Sequence, residues 1–278
     1  MCNVFKTSKL RHLIFCMLFT FTVTVIFSKF PFVPELPSEV TTQIIIILCL
    51  YVVPILWFTR KLKQNNDSIH RFFKKPVPIK LRTIIASAIM PLIFGLGMIL
   101  IVIVLLLNIS PESTTATALP SKEKFIPWFF VFKLVSVVLI APICEEIIFR
   151  GYLLGRLTDK FGLKKGIIFS SVIFGVLHLQ NIFGATMMGI ILCLIFIKTN
   201  SLVTPIIVHI TSNAIVGLRD IYLAFDVGTQ NVQSTSAPSL PLILIGALIL
   251  TIIGSIWLVP FLKRNWKKLT DKGYPLIL

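Results

Sequence analysis

Eight runs of almost uninterrupted apolar residues dominate this chain, at about 10–28, 40–59, 83–108, 126–149, 166–180, 182–198, 201–222 and 239–262. A helix needs about 20 such residues to cross the hydrocarbon of a bilayer, and backbone groups in lipid must be paired within the structure that spans it. The runs therefore predict an all-α fold: a polytopic membrane helix bundle of about eight transmembrane helices, forming a single integral membrane domain over 1–278. The fifth and sixth runs are short and separated only by Gln180 and Asn181, which leaves a tight hairpin of spans and a partly re-entrant pair as alternatives. The first run follows a basic start as a signal peptide would, yet FTVTVIFSKF offers no small-x-small cleavage site, so it is read as an uncleaved span.

A net charge of +16 raises nucleic acid as a partner, and the placement of the basic residues argues against it. Arg60, Lys61, Lys63, Arg71, Lys74, Lys75, Lys80 and Arg82 occupy one connection, and Arg156, Lys160, Lys164 and Lys165 the next but one. Both ends of the chain are basic too, whereas the connections near 29–39, 109–125 and 219–238 mix a few cations with Glu35, Glu39, Glu112, Glu123, Asp220 and Asp226. That alternation follows the positive-inside rule. It predicts a multi-pass protein of a bacterial cell membrane with both termini cytoplasmic, surrounded by lipid bilayer and binding no nucleic acid. The stretch RFFKKPVPIKLR is expected at the inner headgroup level, with Phe72 and Phe73 entering the lipid. Five cysteines stand singly, which speaks against a disulfide framework or a zinc knuckle.

Against this background a few polar side chains stand inside apolar runs: Lys133, Glu145, Glu146 and Arg150 in the fourth, His178 in the fifth, His209 and Asn213 in the seventh. A charge at the centre of a membrane helix costs on the order of 3 kcal/mol on insertion scales, so such residues are expected to be paired or functional. Glu146 and Arg150 are four apart with the acid first, the favourable order for an ion pair on one helix face. Glu145, about 100° further round, points elsewhere. A buried carboxylate with no cation of its own is disfavoured in its charged form, which suits it to act as a base. His209 and Asn213 lie one turn apart and can together hydrogen-bond an oxygen that becomes negative, while Phe174 lies one turn from His178. Each has a plainer reading: a structural ion pair, a satisfied buried imidazole, and an amide acting as interhelical glue. Cys144 reads as an inert buried thiol rather than a nucleophile, Lys133 as a snorkelling or partly wet cation, and Gly151 with Gly155 as a small-xxx-small surface permitting close helix contact. His12 and His70 fall at or near the basic flanks and read as solvated.

Taken together, EEIIFR at 145–150, FGVLH at 174–178 and HITSN at 209–213 fill, in order, the pattern EExxxR, FxxxH and HxxxN. Over about 126–222 the chain thereby resembles the CPBP (CAAX protease and bacteriocin-processing, or Abi) family of intramembrane endopeptidases. The resemblance implies an eight-helix bundle with a water-accessible cavity, and hydrolysis of a peptide bond in a membrane-embedded or membrane-associated peptide. It also implies roles: Glu145 activating a water with help from His178, His209 and Asn213 stabilising the oxyanion, and Glu146 with Arg150 fixing the site. Glutamate-protease and metalloprotease mechanisms are both proposed for the family. Glu145, His178 and His209 form the ligand set if Zn2+ or another divalent metal takes part. Spacing does not choose between them, since the three lie on different helices and no HExxH is present; the metal-independent form is the expectation. Bacterial relatives are associated with bacteriocin immunity, peptide maturation and regulated membrane proteolysis. Two other readings stand beside this one: a non-catalytic immunity or regulatory membrane protein of the same fold, and a proton-coupled transporter whose Glu and His relay protons. The lack of a visible internal repeat weighs against an inverted-repeat transporter.

Overall fold

The computed structural model describes residues 4–5, 8–27, 38–109, 127–226 and 239–269. Among them each apolar run becomes a helix, and no strand is present: α1 Leu10–Phe27, α2 Glu39–Gln64, α3 Leu81–Ile109, α4 Pro127–Phe161, α5 Leu163–Leu177, α6 Ile182–Thr199, α7 Val203–Asp226 and α8 Leu240–Trp266. By length and composition five segments can cross a membrane: α2, α3, α4, α6 with its lead-in from Leu179, and α8. The apolar α1 is shorter. With 15 residues, α5 reaches only about 22 Å at the helical rise, less than the hydrocarbon thickness of about 30 Å. In α7 the polar residues His209, Ser212, Asn213, Arg219 and Asp220 dilute the apolar character. Large apolar side chains such as Phe15, Leu56, Leu106, Trp128 and Ile256 face outward, a surface suited to acyl chains rather than water.

The helix α6 is the axis of the bundle. Of its apolar window 61% is buried, against 17–28% for the other four long spans, and Ile191, Leu192 and Cys193 are wholly enclosed. Around it pack α3, α5 and α7; α8 lies along α3, α4 lies against α5 and α7, α2 against α4, and α1 outside α2. The α5–α6 pair is a tight hairpin. Its small residues allow the approach, since a Cβ on Gly175 would lie 2.8 Å from the Ile182 carbonyl and one on Gly189 would lie 2.9 Å from Cβ of Ser171.

Prolines shape two of the long helices. In α4 the turn Ser136–Ile140 is π-helical, and Ala141 donates its N–H to the Ser136 carbonyl, five residues back. The next residue, Pro142, has no N–H, and a proline ring clashes with the carbonyl four residues before it; the wider turn relieves that clash. The same device precedes Pro54 in α2, where Ile47–Val52 is π-helical and Val53 bonds to Leu48. A second π-helical turn in α4, Ile147–Leu153, has no proline after it.

At one end of the bundle the segment 69–80 folds over the α6–α7 turn. Leu202 donates its N–H to the Phe72 carbonyl at 2.7 Å, and Val77 to that of Thr199 at 3.0 Å. Phe72 therefore does not enter the lipid as expected. It is 1% exposed and packs against Phe58 and Phe196, because the backbone bond to Leu202 turns it inward; Phe73 is the exposed one of the pair. Gly151 and Gly155 seat aromatic rings instead of another helix backbone: added Cβ atoms would meet Phe58 at 3.4 Å and Phe5 at 2.6 Å. The expected outer connections lie mostly outside the described residues.

Candidate active site

Near the middle of α4 the two adjacent acids part company, as their helical phase requires. Glu146, fully buried, pairs with Nη1 of Arg150 at 2.7 Å. Arg150 also donates from Nη2 to the Gly189 carbonyl of α6 at 3.2 Å, and its guanidinium lies 4.8 Å from the Phe174 ring centre on α5. One buried cation thus ties three helices, a role the sequence reading assigned only in outline.

The same Glu146 oxygen meets Nδ1 of His209 at 3.0 Å, a contact the spacing did not reveal. A carboxylate can only accept, so Nδ1 of His209 carries the proton and Nε2 is left to face the site. The same logic fixes His178. It is not inside a helix, as its run suggested, but follows the last residue of α5, with its backbone N–H bonded to Gly175. The Phe174 carbonyl, which a continuing α-helix would have paired with that N–H, accepts instead from Nδ1 of His178 at 2.8 Å. Nε2 of His178 is therefore an acceptor in the neutral ring. The Phe174 ring supports both imidazoles, 4.4 Å from His178 and 5.8 Å from His209 between centres.

Both Nε2 atoms converge on Glu145. Its Oε2 lies 3.8 Å from Nε2 of His178 and 3.8 Å from Nε2 of His209. That oxygen is buried and has no hydrogen-bond partner within the protein. With both rings neutral, three groups able to accept a proton thus face one another across gaps slightly too long for direct bonds, an arrangement that a donor between them would satisfy. His178 is the open side of the cluster, its side chain 38% exposed against 14% for Glu145 and 5% for His209. The third approach to Glu145 comes from α2, where the Tyr51 hydroxyl stands 3.5 Å from Oε1. The sequence reading missed Tyr51. The available signal was a lone phenol in the middle of an apolar run, away from the interfacial depth where tyrosine usually sits.

Asn213 sits one turn beyond His209, and its Nδ2 donates to the Val137 carbonyl of α4 at 2.8 Å. That carbonyl is the one Pro142 leaves without an N–H in the π-helical turn, so α7 supplies what the proline withheld. The amide carries a second N–H on the same nitrogen.

Glu145, His178 and His209 are donors of the kind zinc takes; the separations of 3.8 Å between Glu145 and each imidazole are somewhat wider than the roughly 3.3 Å edge of a regular tetrahedron with bonds of about 2.0–2.1 Å. Among the described residues, no three His, Cys, Asp or Glu side chains are grouped so as to hold a metal ion. Lys133 is exposed, and Cys144 is a half-buried free thiol.

Residues 127–215 match the family described as Type II CAAX prenyl endopeptidase Rce1-like. A Bacillus subtilis (strain 168) protein named "Putative membrane peptidase YdiL" is 35% identical over 80 residues, or 28% of this chain. The alignment spans only 33% of that relative's length. No solved structure matches the chain. The family match begins at the first residue of α4 and ends just past Asn213, the stretch that brings both acids, the arginine and both imidazoles to one place; over that third of its length the chain is similar to the Rce1-like CAAX endopeptidases.

Proposed function

We propose that the chain is an intramembrane endopeptidase that hydrolyses a peptide bond of a membrane-embedded or membrane-associated substrate without a metal. The observation that carries this reading is the unpartnered Oε2 of Glu145 between two Nε2 atoms, each 3.8 Å away. A water placed there gives one hydrogen to Glu145 and the other to His178. Glu145 takes a proton as the water's oxygen bonds to the scissile carbonyl carbon, and that proton then passes to the leaving nitrogen, so the sum is addition of water across the C–N bond. The tetrahedral oxygen carries negative charge and needs donors aimed at it. His209 donates to it once the ring has taken a solvent proton on Nε2, which it returns to solvent after turnover, with Glu146 balancing the ring through Nδ1, and Asn213 offers the amide hydrogen not engaged by Val137. Arg150 holds Glu146, and through it His209, in place. No step is routed through a metal.

The family match over 127–215 and the name of the Bacillus relative support peptidase chemistry, and bacteriocin immunity or peptide maturation is the physiological setting we propose. The test uses purified protein in liposomes with a panel of candidate membrane peptides, Glu145→Ala alongside, and a parallel sample with chelator followed by zinc. Cleavage by the wild type, lost in Glu145→Ala and indifferent to chelator, is the expected result. Equal cleavage by both proteins sinks the assignment and favours a scaffold in which these residues only pack. Loss with chelator and recovery with zinc replaces the metal-free mechanism with a metal-dependent one.

A further inference from the structure

We infer that Tyr51, on α2 and outside the segment that matches the family, is a positioning residue for the Glu145 carboxylate; the inference deepens the proposed hydrolysis and rests on that reading. Tyr51 is 8% exposed, and its hydroxyl lies 3.5 Å from Oε1 of Glu145. An ionised carboxylate only accepts, so the phenol is the donor. A carboxylate turns about the last side-chain bond, and a donor held against one oxygen fixes its plane and so the direction in which the other oxygen presents its lone pairs. Tyr51 occupies Oε1, and Oε2 is then the oxygen turned toward His178 and His209.

Two features of α2 hold the phenol there. Tyr51, Phe58 and Leu62, at i, i+7 and i+11, are all buried and form one helical stripe facing inward. That stripe is anchored on α4 beyond the acid: the ring of Tyr152 packs 5.3 Å from Phe58 and 5.0 Å from Trp57 between centres. The π-helical turn Ile47–Val52 contains Tyr51 itself. Such a turn inserts an extra residue and so sets the phase at which the preceding part of the helix meets its neighbours.

The test is Tyr51→Phe, which keeps the ring and removes only the oxygen. With any peptide that the wild type cleaves, kcat is expected to fall on the order of tenfold while KM stays within about twofold, the pattern of a lost transition-state interaction. In the Glu145→Gln background the same change leaves the residual rate as it was. A second arm needs no substrate. The apparent Tm in detergent is read for Tyr51→Phe in the wild-type background and again in Glu145→Leu, where no oxygen faces the phenol. Tyr51→Phe is expected to lower the Tm in the first and to leave it unchanged in the second. Additive shifts, or an unchanged kcat, overturn the inference. Coupled shifts in a protein that cleaves none of the peptides uphold the Tyr51 contact and count against hydrolysis instead.

Discussion

Replacing Arg150 with methionine removes a cation that is 1% exposed and leaves its partner Glu146, fully buried, with His209 as its remaining ionic contact. Deleting one partner of a buried ion pair costs about 3–5 kcal/mol, because the charge left behind must be neutralised or solvated. Nδ1 of His209 at 3.0 Å offsets part of that, and the loss of the bond to Gly189 and of the contact over Phe174 adds to it, so the lower end of the range, about 3 kcal/mol, is the expectation. At about 2–4 °C per kcal/mol for a chain of this size, the apparent Tm in detergent should drop by about 6–12 °C. The companion Glu146→Gln/Arg150→Met variant contains no orphaned charge and should regain at least half of the loss. Following intrinsic tryptophan fluorescence on heating reads both, with size exclusion confirming that each variant is monodisperse beforehand. A single variant that melts with the wild type would show that the pair is not what holds α4, α5 and α6 together. A double variant as unstable as the single one would show that shape, not charge, is responsible.

If Asn213 completes the backbone that Pro142 interrupts, the two positions are coupled. Asn213→Ala should cost about 1 kcal/mol in the wild-type background and markedly less in Pro142→Ala, where the N–H is restored; strictly additive unfolding free energies would refute the link. Gly184→Ala would place a methyl 2.9 Å from Cα of Gly95, a backbone atom that cannot rotate away. It should destabilise by about 1–3 kcal/mol, whereas Gly246→Ala, with open space around the new methyl, should melt with the wild type.

The eight apolar runs were enough to predict eight helices, because a helix in lipid is a local structure whose hydrogen bonds close within a few residues. The Glu146–Arg150 pair was legible for the same reason, since four residues is one turn. So were the site's candidate residues, because polar groups stand out where nearly everything else is apolar. What the sequence could not decide is how those helices meet. Glu146 reaches His209 across 63 positions, Asn213 reaches Val137 across 76, and Tyr51 reaches Glu145 across 94. Contacts of that kind depend on tilt, on crossing distance and on the π-helical turns in α2 and α4, each of which shifts the phase of everything on one side of it. The inward turn of Phe72 likewise follows from a backbone bond to a distant loop and not from its neighbours in the chain. Composition and periodicity thus determined which residues are helical and which are out of place in lipid; only the packing of α2, α4, α5 and α7 around α6 decided which of those residues face the same space.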